Sequence, residues 1–121
     1  MKILVCDDDV LMLKAIEFKL KRDGYEVLVA TNGRDASDLI RDDNDITLVI
    51  TDLLMPFFNG LELINFIKTD LQKTIPILVL SKIGLEETVL KAFELGADDY
   101  MVKPFSPNEL TIRAKKLLMR K

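Results

Sequence analysis

Five short apolar runs, Ile3–Cys6, Tyr25–Ala30, Ile46–Thr51, Ile75–Leu80 and Asp99–Val102, are each followed by a longer amphipathic stretch. A run of four to six apolar and β-branched residues has the length of a strand, and apolar residues every three or four positions have the period of a helix. Strands that alternate with helices pair in parallel, because each crossover returns the chain to the same edge of the sheet. Ile46–Thr51 is nearly all apolar, which fits a strand covered on both faces.

The helical stretches carry their own boundaries. Val10–Arg22 places Leu13, Ile16 and Leu20 at helical spacing and stops at Gly24, which suits a left-handed C-terminus. Gly33–Arg41 puts Ala36, Leu39 and Ile40 on one face, and Gly60–Asp70 turns Leu61, Ile64 and Ile67 or Phe66 inward. Leu85–Leu95 is closed by Gly96. In Ser106–Arg120, Ser106 is the expected cap, Pro107 sits in the first turn and Glu109 completes a capping box. The expectation is an α/β fold, a five-stranded parallel sheet with helices on both faces, in a single domain spanning residues 1–121.

With 121 residues and 49% hydrophobic content the chain can build one proper core. No apolar stretch approaches a membrane span. Met1–Cys6 is too short for a lipoprotein signal, and acidic residues follow at once. The single cysteine, Cys6, cannot form an internal disulfide and reads as a buried, inert thiol, which suits the cytoplasm. The chain has no histidine, so imidazole metal sites and Ser-His or Cys-His nucleophile pairs are excluded. Any chemistry must run on carboxylates, hydroxyls, lysines and a metal ion. The net charge of −3 argues against nucleic acid as a direct partner. The basic residues Arg113, Lys115, Lys116, Arg120 and Lys121 are explained by the dipole of the last helix.

In open parallel sheets ligands bind at the carboxyl ends of the strands. Here the first strand ends in Asp7-Asp8-Asp9, the third in Thr51-Asp52, the fourth in Leu80-Ser81 and the fifth in Val102-Lys103-Pro104. Adjacent carboxylates repel and raise each other's pKa unless a cation sits among them. A hard divalent ion, Mg²⁺, answers that need. Asp9 has a simpler reading as a helix cap. Asp52 can act as a nucleophile and form an aspartyl phosphate. Mg²⁺ would be held by Asp8 and Asp52, with Asp7 reaching it directly or through water. Lys103 would pair with a phosphoryl oxygen and Ser81 would donate a hydrogen bond to it. No residue is placed as a hydrolytic base, so a phosphoryl group should persist, as a switch requires.

The segments "ILVCDDD", "TDLLMPFFNG", "PILVLS" and "GADDYMVKPFSPNEL" resemble, in order and spacing, the receiver domain of two-component response regulators. The last segment is most like receivers that precede winged-helix DNA-binding domains. The resemblance implies a flavodoxin-like fold of strand order 2-1-3-4-5. It implies that a sensor histidine kinase or phosphotransfer protein passes a phosphoryl group to Asp52. It assigns the metal to Asp7, Asp8, Asp52 and the backbone carbonyl of Leu54. Ser81 and Lys103 become the phosphoryl contacts, Lys103 preceding Pro104 in a cis peptide, and Tyr100 becomes the switch aromatic. It further implies a protein that promotes its own phosphorylation and dephosphorylation without being an enzyme, and a homodimer through the fourth helix, fifth strand and fifth helix.

Some positions depart from that pattern or lie outside it. Lys82 stands where the family usually has Ala or Gly; it can shield the acyl phosphate, add a charge contact or point to solvent. Leu54 and Ile83 flank the site with apolar side chains expected to slow attack by water. Asp98, Asp99, Glu109 and Arg113 have the charges for the dimer face, but Val89 stands where a basic partner is expected. Phe57 and Phe58 are either an exposed aromatic contact or packed on the third helix. The last helix reaches the final residue without a linker, which favours a receiver cut from a longer chain. Two other classes share single features with this sequence. A carboxylate-nucleophile phosphohydrolase would use Asp7 and Asp9 as its D-x-D pair, but the short loops leave no cap. A flavin binder would need a hydroxyl- and glycine-rich loop where Asp7–Val10 stands.

Overall fold

The computed structural model describes residues 1–120; Lys121, the last of the basic C-terminal cluster, lies outside the described residues. The strands are β1 (Lys2–Cys6), β2 (Glu26–Ala30), β3 (Ile46–Thr51), β4 (Ile77–Ser81) and β5 (Asp99–Val102). The helices are α1 (Val10–Arg22), α2 (Gly33–Asp42), α3 (Gly60–Asn65), α4 (Glu86–Leu95) and α5 (Pro107–Leu118). The sheet is parallel throughout and runs β2-β1-β3-β4-β5, the expected order.

Alternate strand residues feed two cores. Ile3, Val5, Leu48, Ile50, Leu78 and Leu80 meet α1 and α5 through Leu13, Ile16, Leu20, Leu110 and Leu117. Leu4, Cys6, Val49, Ile77 and Val79 meet α2 and α3 on the other face through Ala36, Ile40, Leu63 and Ile64. Helix α4 lies on this second face too, but Ala92 is its one buried residue. Among the described residues, no helix is long and apolar enough to cross a membrane.

Several local expectations are refined. Glycine is required after α1 and α4, where Gly24 and Gly96 take φ of 97° and 121°. Strand β4 begins at Ile77 rather than Ile75. Pro76 has no N–H for the ladder, and its carbonyl instead accepts from the Val49 N–H at 3.0 Å. The third helix is not α-helical to Asp70. It widens into a π turn over Phe66–Asp70, where the Leu71 N–H reaches back to the Phe66 carbonyl at 2.9 Å. That turn keeps Ile67 buried and lets the Lys68 ammonium donate to the Ile75 carbonyl at 2.8 Å. Ser106 caps α5, accepting from the Asn108 and Glu109 N–H groups. Glu109 does not complete a capping box, because its carboxylate accepts from Arg113 instead. The box occurs on α3, where Asn59 and Glu62 each accept from the other's backbone N–H.

Helix α3 starts tight against the end of β3. A Cβ on Gly60 would lie 2.3 Å from the Asp52 carbonyl oxygen and 2.7 Å from the Leu53 Cα, both backbone atoms that cannot step aside. Gly60→Ala should therefore cost about 2 kcal/mol in urea unfolding, as overpacking against fixed atoms does. Gly84→Ala, whose nearest contact would be a Val102 methyl at 3.4 Å, should stay within about 0.5 kcal/mol. Equal effects at the two positions would refute this account of the α3 start.

Candidate functional site

The sheet ladder carries the candidate residues past the ends of their strands. The Asp7 N–H donates to the Ala30 carbonyl at 3.1 Å, the Asp52 N–H to the Cys6 carbonyl at 3.0 Å, and the Lys103 N–H to the Ser81 carbonyl at 2.8 Å. Each backbone is thus held by the neighbouring strand, and the three side chains converge where strand order reverses between β1 and β3.

Lys103 Nζ lies 2.7 Å from Asp7 Oδ2 and 3.0 Å from Asp52 Oδ2. All three side chains are nearly closed to solvent, at 7%, 2% and 12% exposure. The second oxygen of each carboxylate is held by backbone. Asp7 Oδ1 accepts from the Asp9 N–H at 2.9 Å, and Asp52 Oδ1 accepts from the N–H groups of Leu53 at 2.6 Å and Leu54 at 3.3 Å. Both carboxylates are therefore fixed in orientation. Burial pulls the Lys103 pKa down, but its hydrogen bonds to Asp7 and Asp52 outweigh that and hold it above the ordinary lysine value. The Lys103–Pro104 peptide is cis.

Asp8 stands exposed at the mouth, and oxygens of Asp7, Asp8 and Asp52 lie within 4.8 Å of one another. Opposed ligands of an octahedral Mg²⁺ sit about 4 Å apart, so the three carboxylates fit a hard divalent ion in both spacing and donor type. A cleft of about 210 Å³ is lined by Asp7, Asp8, Asp9, Asp52, Leu54, Lys82 and Lys103. Asp9 has the simpler role: it caps α1, accepting from the Leu11 and Met12 N–H groups. Leu54 is exposed and lines the mouth.

Ser81 and Tyr100 are brought together, but not on Asp52. Ser81 is fully buried, and its Oγ accepts from the Ile83 N–H at 3.1 Å. The Tyr100 hydroxyl donates to the Ile83 carbonyl at 2.5 Å. The two residues thus grip opposite polar groups of Ile83. No sequence pattern marks this, because Ile83 takes part through its backbone alone. The capping box at the start of α3, by contrast, has the sequence signature Asn59-x-x-Glu62.

Other candidates are packed, paired within the chain or left at its surface. Burial pushes the Cys6 thiol pKa up, as expected of an inert cysteine. Phe57 is exposed, whereas Phe58 is half-buried and meets Phe66 edge-on at 5.9 Å. Both Asp99 oxygens are held by Arg113 Nη1, at 2.9 and 3.0 Å, and Arg113 also reaches Glu109 at 3.2 Å. Asp98 accepts from the Ile77 N–H at 2.8 Å and lies near Lys68 and Arg120. These charges are engaged within the chain.

The sheet order and helix placement make a flavodoxin-like fold, with a cation-paired acidic cleft at the reversal point of the sheet. The model for the response regulator receiver domain matches residues 3–115, and the chain belongs to that family. It is 40% identical to a probable transcriptional regulatory protein of Picosynechococcus over 98% of this chain and 49% of that protein. It is 35% identical to the transcriptional regulatory protein SrrA of Staphylococcus aureus over 98% of this chain and 48% of that protein. The chain thus spans about half the length of the curated relatives it matches. The crystal structure of a putative response regulator from Chloroflexus aurantiacus superposes with a TM-score of 0.90 at 38% identity, covering 98% of both chains.

Removing the Lys103 charge leaves two buried carboxylates facing each other. Lys103→Met should lower unfolding free energy at neutral pH by about 3 kcal/mol, the scale of a broken buried pair. Mg²⁺ should restore part of that loss, because a ligand that binds only the folded state stabilises it. The wild-type contribution has the sign of a raised lysine. It is fully present below the ordinary value of 10.5 and fades as pH rises through the folded value. Neutralising either carboxylate removes the repulsion left in the variant, so its deficit should shrink on acidification. Urea unfolding at neutral and mildly acidic pH, with and without Mg²⁺, checks all three; an unaltered midpoint at neutral pH would contradict the pairing argument.

Proposed function

We propose that this chain is a phosphorylation-controlled signalling domain in which Asp52 receives a phosphoryl group from a sensor histidine kinase or phosphotransfer protein. The observation that supports it most is the Asp52 carboxylate itself. It is buried, oriented by the Leu53 and Leu54 N–H groups, and paired with Lys103 beside two further carboxylates. Asp52 attacks phosphorus as the bond to the donor atom breaks, and the donor leaves with that electron pair. Lys103 faces the acceptor oxygen and offsets charge as the phosphoryl group arrives. Mg²⁺, held by Asp7, Asp8, Asp52 and the Leu54 carbonyl, supplies further charge neutralisation when bound.

Ser81 and Tyr100 form the readout in this reading. When the Ser81 hydroxyl turns to the phosphoryl oxygens it releases the Ile83 N–H, and Tyr100 is bonded to the carbonyl of the same residue. The change would pass to the face formed by α4, β5 and α5, which controls an output domain or partner and pairs two phosphorylated copies. The domain turns over no independent substrate; it promotes only its own phosphorylation and dephosphorylation. Its proposed donors work in the cytoplasm. Arg113 and Arg120 are engaged with Asp99 and Asp98, and nucleic acid is left to whatever output segment acts with the domain.

Intact mass after incubation with acetyl phosphate and Mg²⁺ tests the chemistry. One phosphoryl group should add to the wild type and none to Asp52→Asn or to wild type in EDTA; an adduct retained by Asp52→Asn would refute the assignment. The readout has a separate test. Tyr100→Phe should accept phosphate at the wild-type rate, yet its phosphorylation-dependent self-association, measured by sedimentation, should weaken about fivefold, the scale of one hydrogen bond. Unchanged association would remove Tyr100 from the switch.

A further inference from the structure

Lys82 is the one lining residue of the Asp52 cleft whose charge has no use in the account above. It is exposed, and it borders both that cleft and an adjoining one lined by Asp9, Met12, Lys103 and Pro104. Four carboxylates line the Asp52 cleft against two ammonium groups, and these differ in kind. Lys103 is buried and spent on Asp7 and Asp52. Lys82, among the described residues, forms no ion pair with any of the four, although Asp8 and Asp9 stand exposed beside it. Asp9 is committed to the Leu11 and Met12 N–H groups at the start of α1. A long, uncommitted cation therefore stands at the mouth of a cleft whose interior is acidic.

An acidic cleft repels the group that must enter it, because phosphoryl donors are anions. We propose that Lys82 is the entry cation of this cleft: it draws an anionic phosphoryl donor toward Asp52 and, by the same charge, weakens the binding of Mg²⁺ there. This rests on Asp52 being the phosphoryl acceptor. In the transfer from acetyl phosphate the bond between phosphorus and the acetyl oxygen breaks, acetate leaves with the electron pair, and Asp52 forms the new bond to phosphorus. No proton moves, so Lys82 acts through charge alone. A unit charge at about 4 Å in water is worth roughly 1 kcal/mol, or about fivefold in rate, and about 1 M salt screens most of it.

The opposite signs give the test its discrimination. In Lys82→Gln the initial rate of Asp52 phosphorylation by acetyl phosphate, read by intact mass at low ionic strength, should fall about fivefold. The Mg²⁺ dissociation constant of the unphosphorylated protein, read by calorimetry, should fall about twofold to threefold, meaning tighter binding. Lys82→Arg should restore both values, and high salt should bring Lys82→Gln and wild type together. A Lys82→Gln variant equal to wild type in rate and in Mg²⁺ affinity would overturn the proposal, leaving Lys82 a solvated side chain. A shift of both in the same direction would also overturn it, because that marks altered packing rather than charge. An adduct absent from the wild type, or present in Asp52→Asn, would overturn the assignment of Asp52 itself and this inference with it.

Discussion

Two central strands of this sheet each end in a carboxylate, and the parallel arrangement forces those carboxylates to the same edge. Asp7 and Asp52 would repel there if Lys103 did not lie 2.7 and 3.0 Å from them. The ammonium comes from the far side of β4, so its arrival depends on the whole β3-β4-β5 half of the sheet being in register. The cleft is therefore complete only where that half of the sheet is formed. A buried charge pair is weak evidence of stability in itself, since desolvation offsets much of its attraction. Its retention here is better explained by what it leaves poised: an oriented Asp52 carboxylate with a second charged group at hand.

The order of elements was readable because their periods differ so plainly. Apolar runs such as Ile46–Thr51 have no polar face, whereas Val10–Arg22 has one, and only a sheet covered on both sides reconciles the two. The residues at the strand ends were readable for the same reason: in a parallel sheet, position along the chain fixes position at the edge. What escaped was decided by contacts distant in sequence or by backbone alone. Nothing in Phe66–Asp70 announces a π turn, whose Lys68 reaches Ile75 and Asp98. Glu109 has the spacing of a capping box and instead follows Arg113, which is held by Asp99 on β5. Ser81 and Tyr100 were legible as residues but their meeting at Ile83 was not, because main-chain groups carry no residue signature.

The proposed switch would run through that meeting. Ser81 and Tyr100 are linked through the N–H and the carbonyl of one residue, Ile83. Under that proposal, a rotation of the Ser81 hydroxyl would be passed on by a shift in the hydrogen bonding of Ile83. Asp99, Glu109 and Arg113 already pair within the chain, so any pairing of two copies that uses them must exchange internal ion pairs for external ones. Such an exchange is close to neutral for exposed pairs, which leaves its direction to small changes elsewhere.

Helix α4 follows the Ser81–Ile83 segment directly and is anchored by Ala92 as its one buried residue, while Leu85, Leu90 and Phe93 face solvent. Every other helix in the sheet's two layers buries at least two. Elements with so little buried area open at a lower free energy than the molecule as a whole, and their amides exchange with solvent deuterium ahead of the core. Helix α4 is thus the helix of this domain held by the least burial, set beside a sheet whose other face packs against α1 and α5.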